Sequence, residues 1–286
     1  MIMAGTSGTA IEITGLRKRY GNITAVDGLD LTINHGEVFA ILGPNGAGKT
    51  TTVEILEGYR HRDSGTVWVL GEDPQRAGRS WRARIGIVLQ LGAAEWPEIT
   101  VLEAIKNFAL FYPAPRDPEE VLRLVGLADR SGSRIRQLSG GMTRRLDVAL
   151  GIIGAPELLF LDEPTTGFDP EARRTFWSMI KGLSGDGTTI VLTTHYLDEA
   201  ETLADRVAVI AGGRIRATGT PATLGGRDTA EATVHWQEDG QSRSLRTTAP
   251  TKAVEKLAAR LGGEIPGLTV TRPTLEDVYL ELIGGG

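Results

Sequence analysis

A glycine-rich segment, GPNGAGKT, runs from Gly43 to Thr50 and fits the phosphate-loop pattern G-x-x-x-x-G-K-[ST]. Its glycines let the backbone turn tightly, so that successive N–H groups face phosphate oxygens. Lys49 can then reach the β- and γ-phosphates, and the Thr50 hydroxyl can bind Mg²⁺. The residues expected around the phosphates are Gly43, Pro44, Asn45, Gly46, Ala47, Gly48, Lys49, Thr50 and Thr51. The pattern predicts a nucleoside triphosphate site, and alone it leaves kinases, GTPases and motor proteins open.

Two adjacent carboxylates end another apolar run, Leu158–Glu163. If this run is a strand parallel to the one before the phosphate loop, the carboxylates reach the sheet edge where open α/β sheets bind ligands. Asp162 is then placed to bind Mg²⁺, directly or through water, and Glu163 is the candidate base that polarises the attacking water. Adjacent acids at a strand end are often plain surface residues, so the catalytic interpretation depends on the phosphate loop. Guanine-reading Asn/Asp motifs are not evident, which argues against small GTPases.

A second glycine-rich segment, Leu138–Met142, lies upstream of Asp162 and precedes a helical stretch. Ser139, Gly140 and Gly141 would form a helix N-terminus that suits an anion. Such a segment is usually only a helix cap. A single nucleotide already has its phosphate loop, however, so this segment is expected to bind the γ-phosphate of a nucleotide held by another subunit.

Predicted strands and helices position these segments. Apolar and polar residues alternate over residues 11–42, which predicts antiparallel strands. Glu37–Leu42 is a continuous apolar run, typical of a strand buried on both faces. Further predicted elements are a helix over Thr50–Tyr59 and strands over Val67–Leu70, Ile85–Leu89, Leu158–Leu161, Thr189–Leu192 and Val207–Ile210. Strand, helix and strand in succession predict an α/β fold with a parallel sheet.

The remaining chain divides into three predicted parts. Residues 1–10 are small and polar and are expected to be disordered. Residues 11–225 form the α/β domain, in which residues 91–155 have helical spacing and form a helical subdomain. A composition shift sets off residues 226–286 as a small α+β appendage. Its predicted elements are a hairpin of Ala232–Trp236 with Arg243–Thr247 and helices over Thr251–Leu261 and Leu275–Ile283.

Composition narrows the function classes. The 286 residues are 41% hydrophobic and 23% charged, the balance of an ordinary soluble globular protein. No run approaches the ~18 apolar residues that a membrane span needs, and the start lacks the order of a signal peptide. The absence of Cys excludes disulfides and thiolate chemistry, and the four His show no metal-ligand spacing. The net charge of −5 gives no general attraction to nucleic acid.

In their order and spacing, the Lys49 loop, the Ser139 segment and the Asp162-Glu163 strand end resemble the ATP-binding subunits of ABC transporters. The resemblance covers roughly residues 11–225. It implies a P-loop NTPase core of the ABC ATPase type, with an antiparallel β subdomain, a helical subdomain and the C-terminal α+β appendage. It also implies ATP and Mg²⁺ as cofactors and ATP hydrolysis as the activity.

The resemblance implies roles for four more residues. Tyr20 matches the aromatic residue that stacks on adenine, although ordinary strand packing is the alternative. Gln90 matches the glutamine that contacts Mg²⁺ and senses the transmembrane partner. Asp169 matches the loop that crosses the dimer interface and is also a typical helix-initiating residue before Pro. His195 matches the switch histidine that contacts the γ-phosphate. The implied catalytic set is Glu163, His195, Lys49 and Gln90, and the implied metal ligands are Thr50, Gln90 and Asp162.

Several positions depart from the usual family pattern. Met142 stands where the family usually has Gln, and Thr166 and Phe168 replace the usual Ser and Leu. Met142 followed by Arg144–Asp147 resembles the daunorubicin-resistance type of ABC exporter. The tail Arg272–Leu280 is similar to the C-terminal appendage of that subfamily. This closer resemblance implies multidrug export, and hydrolysis is expected to survive Met142.

The same resemblance implies the partners. Two ATPase subunits, identical or not, are expected to pair head to tail and to act on a separate permease at the cytoplasmic face of the plasma membrane. A docking groove for the permease and the core of the helical subdomain compete as interpretations of one set of aromatic and apolar residues. These are Trp96, Ile99, Phe108, Phe111 and Tyr112.

Two other functions stay open at this point. A soluble ABC-type ATPase that acts on nucleic acid usually carries tandem nucleotide domains or a coiled coil, whereas this chain has one motif set, no heptad run and a net charge of −5. For a homodimer, a regulatory subunit that does not hydrolyse ATP is disfavoured by the complete set of Lys49, Asp162, Glu163 and His195. No nucleic-acid partner is expected.

Overall fold

The structure is a computed structural model that describes residues 8–88 and 95–284. Its strands are β1 (Thr9–Tyr20), β2 (Ile23–Asn34), β3 (Val38–Leu42), β4 (Ser64–Val69), β5 (Ile85–Val88), β6 (Leu158–Asp162), β7 (Thr189–Thr194), β8 (Arg206–Ala211), β9 (Arg214–Gly219), β10 (Ala232–Glu238), β11 (Gln241–Thr247) and β12 (Thr269–Thr271). Its α-helices are α1 (Lys49–Leu56), α2 (Arg79–Arg82), α3 (Val101–Ala109), α4 (Pro118–Leu124), α5 (Gly140–Ile152), α6 (Pro170–Gly185), α7 (Leu197–Leu203), α8 (Pro250–Leu261) and α9 (Leu275–Gly284). Within these residues, no helix combines the length and the apolar composition needed to cross a bilayer.

The central sheet has the strand order β5-β6-β7-β3-β8-β9. The neighbouring strands β5, β6, β7, β3 and β8 run parallel to one another. Strand β9, which was not predicted, is antiparallel to β8. All of β3 is buried, because its side chains enter one core on each face of the sheet. The parallel direction brings the carboxyl ends of β3, β6 and β7 to one edge. The predicted α/β class is confirmed.

An antiparallel sheet of order β2-β1-β4 packs on one face of the central sheet. Alternate residues of β1, such as Ile11 and Ile13, share a core with Phe39 and Ile41 of β3. The strand already begins at Thr9, and the following alanine is buried. The predicted disordered segment, residues 1–10, is therefore corrected at its end, because the last two of these residues pair in β1.

Helices α3, α4 and α5 form the other side of the molecule and pack in the core on the opposite face of the central sheet. Helix α3 begins with a capping box in which Thr100 and Glu103 bond each other's backbone, so its first turn is well defined. The predicted helical segment, residues 91–155, contains these helices and no strand among its described residues.

The C-terminal part forms a third sheet of order β11-β10-β12, with α8 packed on β10. Trp236, Leu257 and Ile265 belong to its separate small core. Helix α9 does not join this core, because Leu275 packs into the main core and the helix contacts β8, β9 and α7. The predicted grouping of both C-terminal helices in one appendage is thus corrected: residues 232–271 form the appendage, and α9 returns to the main domain.

Candidate active site

The phosphate loop connects β3 to α1, and its shape depends on two glycines that approach neighbouring backbone. A Cβ atom on Gly43 would lie 2.3 Å from the carbonyl oxygen of Ile210, and one on Gly48 would lie 2.2 Å from that of Ala25. Gly48 also has a φ of 102°, which L side chains rarely adopt. The tip of the loop, Pro44–Gly46, is exposed. The surrounding backbone therefore fixes the loop while its tip faces solvent.

Lys49 is the first residue of α1, and only 6% of it is exposed. Its Nζ donates hydrogen bonds to the carbonyl oxygens of Gly43 at 2.7 Å and Pro44 at 3.2 Å. Burial lowers the pKa of Lys49, and the charges of Glu163 and Asp162 act in the opposite direction. The ammonium group is thus held at the sheet edge, where the negative charge of an anionic ligand would offset the cost of burying its positive charge.

The threonines after Lys49 take up different positions. Thr50 is exposed, Thr51 is half-buried, and Thr52 is fully buried with its hydroxyl donating to the carbonyl of Gly48 at 2.8 Å. Thr50 is therefore the hydroxyl of this helix end that a ligand can reach.

Strand β6 brings Asp162 and Glu163 to the same edge, and Thr193 of β7 orders both. The Thr193 hydroxyl donates a hydrogen bond to Asp162 Oδ1. The backbone N–H of Glu163 donates to the carbonyl and hydroxyl oxygens of Thr193, each at 3.1 Å. Register explains this contact, since Asp162 and Thr193 are paired residues of neighbouring parallel strands. Sequence inspection singled out the two acids but missed Thr193.

Glu163 and His195, both members of the predicted catalytic set, lie side by side. The Nδ1 atom of His195 is 3.3 Å from Glu163 Oε2, and the hydroxyl of Thr166 donates to the same carboxylate oxygen at 3.4 Å. The His195 ring stacks at a tilt on Tyr196, with 4.1 Å between ring centroids. A carboxylate, an imidazole and the Lys49 ammonium thus converge at the phosphate loop.

Ser139 and Asp169 cap the helices that follow them and line a common groove. Ser139 Oγ accepts a hydrogen bond from the N–H of Met142 at 3.3 Å at the start of α5. Asp169 Oδ1 accepts from the N–H groups of Glu171 and Ala172 at the start of α6. Gly141 lies between them, and Gly140 is exposed on the first turn. Both segments therefore present a helix N-terminus to one cavity.

The described residues that line this groove belong to the two helix starts, and none belongs to the phosphate loop. No hydrogen bond or ion pair among residues 8–88 and 95–284 joins Ser139–Gly141 or Asp169 to Gly43–Thr51.

Tyr20 ends β1 at the surface, 39% exposed, with Lys18 Nζ at 5.5 Å and the Arg60 guanidinium at 5.3 Å from its ring centroid. Gln90 lies outside the described residues.

Two charged residues near the site were not predicted to act there. Arg144 of α5 donates from Nη2 to the carbonyl of Asp162 at 2.9 Å and from Nε to that of Pro164 at 3.1 Å. Glu57, at the end of α1, has its pKa raised to about 8, chiefly by burial and further by the charges of Asp162 and Glu54. The sequence signal that could have pointed to Arg144 and Glu57 is a charged residue next to apolar residues on one face of a predicted helix.

Known proteins match the chain over most of its length. A model of the ABC transporter family matches residues 26–166. The daunorubicin resistance ATP-binding protein DrrA3 of Streptomyces coeruleorubidus is 38% identical, with 96% of each chain covered. The Nod factor export ATP-binding protein I of Burkholderia lata is 36% identical, covering 96% of this chain and 97% of its own.

Solved structures share the fold. An ATP-binding subunit of an ABC transporter superposes with a TM-score of 0.69 at 22% identity, covering 96% of this chain and 99% of its own. A dimeric ATP-binding cassette in a post-hydrolysis state, bound to ADP and Pi, gives a TM-score of 0.64 at 24% identity, covering 73% of this chain and 98% of its own. Together with the relatives above, the fold and the motif order lead to one conclusion. The chain belongs to the ABC transporter family, as an ATP-binding subunit that hydrolyses ATP.

Proposed function

We propose that two ATPase subunits pair head to tail and that each ATP lies between the Lys49 loop of one and Ser139–Gly141 of the other. The observation that carries this proposal is that one chain has two helix N-termini suited to phosphate and that the groove at the second is lined by no described residue of the phosphate loop. The groove shared by Ser139 and Asp169 supports it, because the starts of α5 and α6 both face this one cavity. The solved post-hydrolysis cassette, which is dimeric, is consistent with such pairing.

The residues at the sheet edge suit Mg²⁺ held together with the nucleotide. Thr50 offers an exposed hydroxyl and Asp162 a carboxylate ordered by Thr193, and hard cations prefer oxygen ligands of this kind. Gln90 is the third proposed ligand. The bound ion would neutralise charge on the β- and γ-phosphates.

Glu163 is proposed to polarise the attacking water, and His195, 3.3 Å from its carboxylate, to contact the γ-phosphate. Lys49 would stabilise the charge on the transferred group, since phosphoryl transfer depends mainly on positioning and electrostatics. Tyr20 is proposed to stack on adenine, between the cations of Lys18 and Arg60.

The test is Glu163→Gln. This change removes the base but keeps the shape of the side chain, so ATP binding is expected to persist while hydrolysis falls by a factor of at least about 100. The variant should elute as a stable dimer with ATP and as a smaller species with ADP in size-exclusion chromatography. Rapid turnover by Glu163→Gln, or full activity of a strictly monomeric Ser139→Ala variant, would overturn the proposal.

We further propose that the dimer powers export through a separate permease at the cytoplasmic face of the plasma membrane, with a drug-like or lipid-like cargo. The names of the daunorubicin resistance and Nod factor export relatives support export. An aromatic surface on the helical subdomain supports permease docking: Trp96 and Phe111 are 41% and 79% exposed, and both contact Phe108. Ile99 and Tyr112 are instead partly buried and pack against the main core.

The docking surface can be tested with a co-expressed permease. Phe111→Ser is expected to abolish co-purification with the permease while ATP binding by the free subunit stays unchanged, because Phe111 is exposed and distant from the phosphate loop in the chain. Undiminished co-purification of Phe111→Ser and Trp96→Ser would move the docking surface elsewhere.

A further inference from the structure

Arg144 lies one turn into α5, just after the Ser139 helix N-terminus, and only 8% of it is exposed. Its guanidinium donates to the carbonyl oxygen of Asp162 at 2.9 Å and to that of Pro164 at 3.1 Å. These two carbonyls belong to the residues on either side of Glu163. One side chain of α5 therefore bridges the backbone on both sides of the proposed base, Glu163.

Glu163 has a backbone that needs such support. Its φ is +42°, in the left-handed region that non-glycine residues rarely adopt. A conformation of this kind is strained and persists only where the surroundings impose it. Arg144 holds the carbonyls on both sides, and Thr193 accepts the hydrogen bond from the N–H of Glu163. The base is thus fixed through its backbone.

The position of Arg144 is itself restrained. Asp147, on the same helix, places Oδ2 3.7 Å from Arg144 Nη1 and is only 7% exposed. Burial lowers the pKa of Arg144, whereas the charges of Asp147 and Asp162 oppose this effect. A planar guanidinium can donate to two separate carbonyls at once, a geometry that a lysine ammonium on a flexible stem does not reproduce.

We propose that Arg144 is a positioning residue for Glu163 and that it links the two nucleotide sites of the dimer. The link rests on the proposed function, in which Ser139 contacts the partner's ATP while Glu163 acts on the ATP of its own protomer. Because Arg144 joins the helix that begins at Ser139 to the backbone of Glu163, a γ-phosphate seated on Ser139 would help to fix the base at the other site.

The first test is Arg144→Gln. Loss of the bridge is expected to lower kcat about 100-fold with little change in KM for ATP, since misplacing a base by about 1 Å costs that much while binding is untouched. Arg144→Lys should recover part of the loss. Arg227→Gln is the matched control, because Arg227 also bridges two carbonyls, those of Pro221 and Pro273, away from the site. Unchanged kcat for Arg144→Gln would overturn the proposal.

Should Arg144→Gln fail to fold, Asp147→Asn provides the second variant, because it leaves the guanidinium but removes its charged brace. It is expected to lower kcat about 10-fold at unchanged KM, which is less than the roughly 100-fold or more that acid–base catalysis contributes, because the guanidinium itself remains. A stable Asp147→Asn variant with the kcat of the unaltered protein would contradict the positioning role.

The second test separates action on Glu163 from action on the Ser139 segment. It uses dimers in which each protomer carries a different tag and a different change, and it measures single-turnover formation of ADP. A dimer of Ser139→Ala with Glu163→Gln keeps one site with its own base and its partner's serine, so one cleavage per dimer is expected. This cleavage should be slower than in a dimer of the unaltered protein with Glu163→Gln, because the protomer that supplies the base has lost its Ser139. A dimer of Arg144→Gln with Glu163→Gln has an impaired base at one site and none at the other, so no fast cleavage is expected.

The two mixed dimers distinguish the proposals from each other. Fast cleavage in the Arg144→Gln dimer would show that Arg144 acts only through Ser139, and the positioning proposal would fail. Absence of cleavage in the Ser139→Ala dimer would overturn the head-to-tail pairing, whereas cleavage as fast as in the dimer of the unaltered protein with Glu163→Gln would overturn the link between sites. The kcat loss of Arg144→Gln would then still decide whether Arg144 positions Glu163.

Discussion

Thr193 shows, at the scale of single residues, how a neutral side chain can order two carboxylates. Its hydroxyl donates to Asp162 and accepts from the N–H of Glu163, so a single rotamer fixes both acids. The contact needs no charge and is fully buried, which makes it durable. The arrangement leaves Glu163 Oε2 beside His195 and binds Asp162 Oδ1 to Thr193, so the two acids have different surroundings, as their two proposed roles need.

Glu57 makes a pH dependence of stability predictable. Its pKa rises from an ordinary 4.5 to about 8 in the folded protein, first through burial and then through Asp162 and Glu54. Between these two pKa values the folded state binds a proton that the unfolded state lacks, so this contribution to the free energy of unfolding falls as pH rises. The contribution of Glu57 to the free energy of unfolding changes by at most about 1.4 kcal/mol per pH unit, and it stops changing above the pKa of the folded state.

The Glu57→Gln variant is therefore expected to gain stability relative to the unaltered protein as pH rises. Near pH 5, which is about the ordinary pKa of a glutamate, the two proteins are expected to differ little in stability. Urea unfolding across this pH range measures the effect. Glu255→Gln, an exposed acid on α8, is the control. Parallel stability curves for the Glu57→Gln variant and the unaltered protein would show that Glu57 is ionised in the folded protein.

The residues of the site differed in how far sequence could predict them. Lys49, Asp162 and Glu163 were predictable because each follows a strand whose apolar run is visible in the sequence. Arg144 was not, because its partners are backbone carbonyls of residues far along the chain, and any sequence offers such carbonyls. Contacts to backbone leave no pattern of side chains to detect.

At the scale of elements, the phosphate loop is held by close backbone packing, and this gives a prediction for Gly48→Ala. The added Cβ would lie 2.2 Å from the carbonyl oxygen of Ala25, so the loop or β2 must move. ATP affinity is expected to fall at least about tenfold, because the N–H groups that face phosphate would shift. Binding of a fluorescent ATP analogue measures the loss of affinity, and thermal unfolding measures the effect of the displaced loop or β2 on stability.

Gly71→Ala is the matched control for this prediction. Gly71 has a φ of 79° but an added Cβ meets nothing within 4 Å, so only the backbone cost of about 1–2 kcal/mol remains. Equal ATP affinity in the two variants would show that the contact with Ala25 does not shape the loop.

Elements with strong periodicity were predictable, and those that depend on a partner were not. The buried strands β3, β6, β7 and β8 appear in the sequence as continuous apolar runs. Strand β9 was missed because its residues are at most half-buried and lack such a run. Its place at the sheet edge comes from pairing with β8, a tertiary contact that a local pattern does not reveal.

At the scale of the whole molecule, the chain crosses from the main domain into the appendage and then returns. The appendage has its own small core, whereas α9 packs on β8, β9 and α7. The sequence predicts a helix over Leu275–Ile283 and groups it with the appendage, because a local pattern does not say against which core a helix packs. Helix α9 therefore makes the end of the chain a structural part of the ATPase domain.

Two leucine truncations test this division. Leu275 is 1% exposed in the main core and Leu257 is 7% exposed in the appendage core, so either change to Ala should cost about 2–5 kcal/mol locally. Leu275→Ala is expected to raise amide hydrogen exchange in β8 and to lower the unfolding midpoint of the ATPase domain. Leu257→Ala should raise exchange only in β10 and α8, because the two cores are separate. If Leu275→Ala left exchange in β8 unchanged, the main domain would not depend on α9 for its stability. If Leu257→Ala raised exchange in β8 equally, the two cores would not be independent.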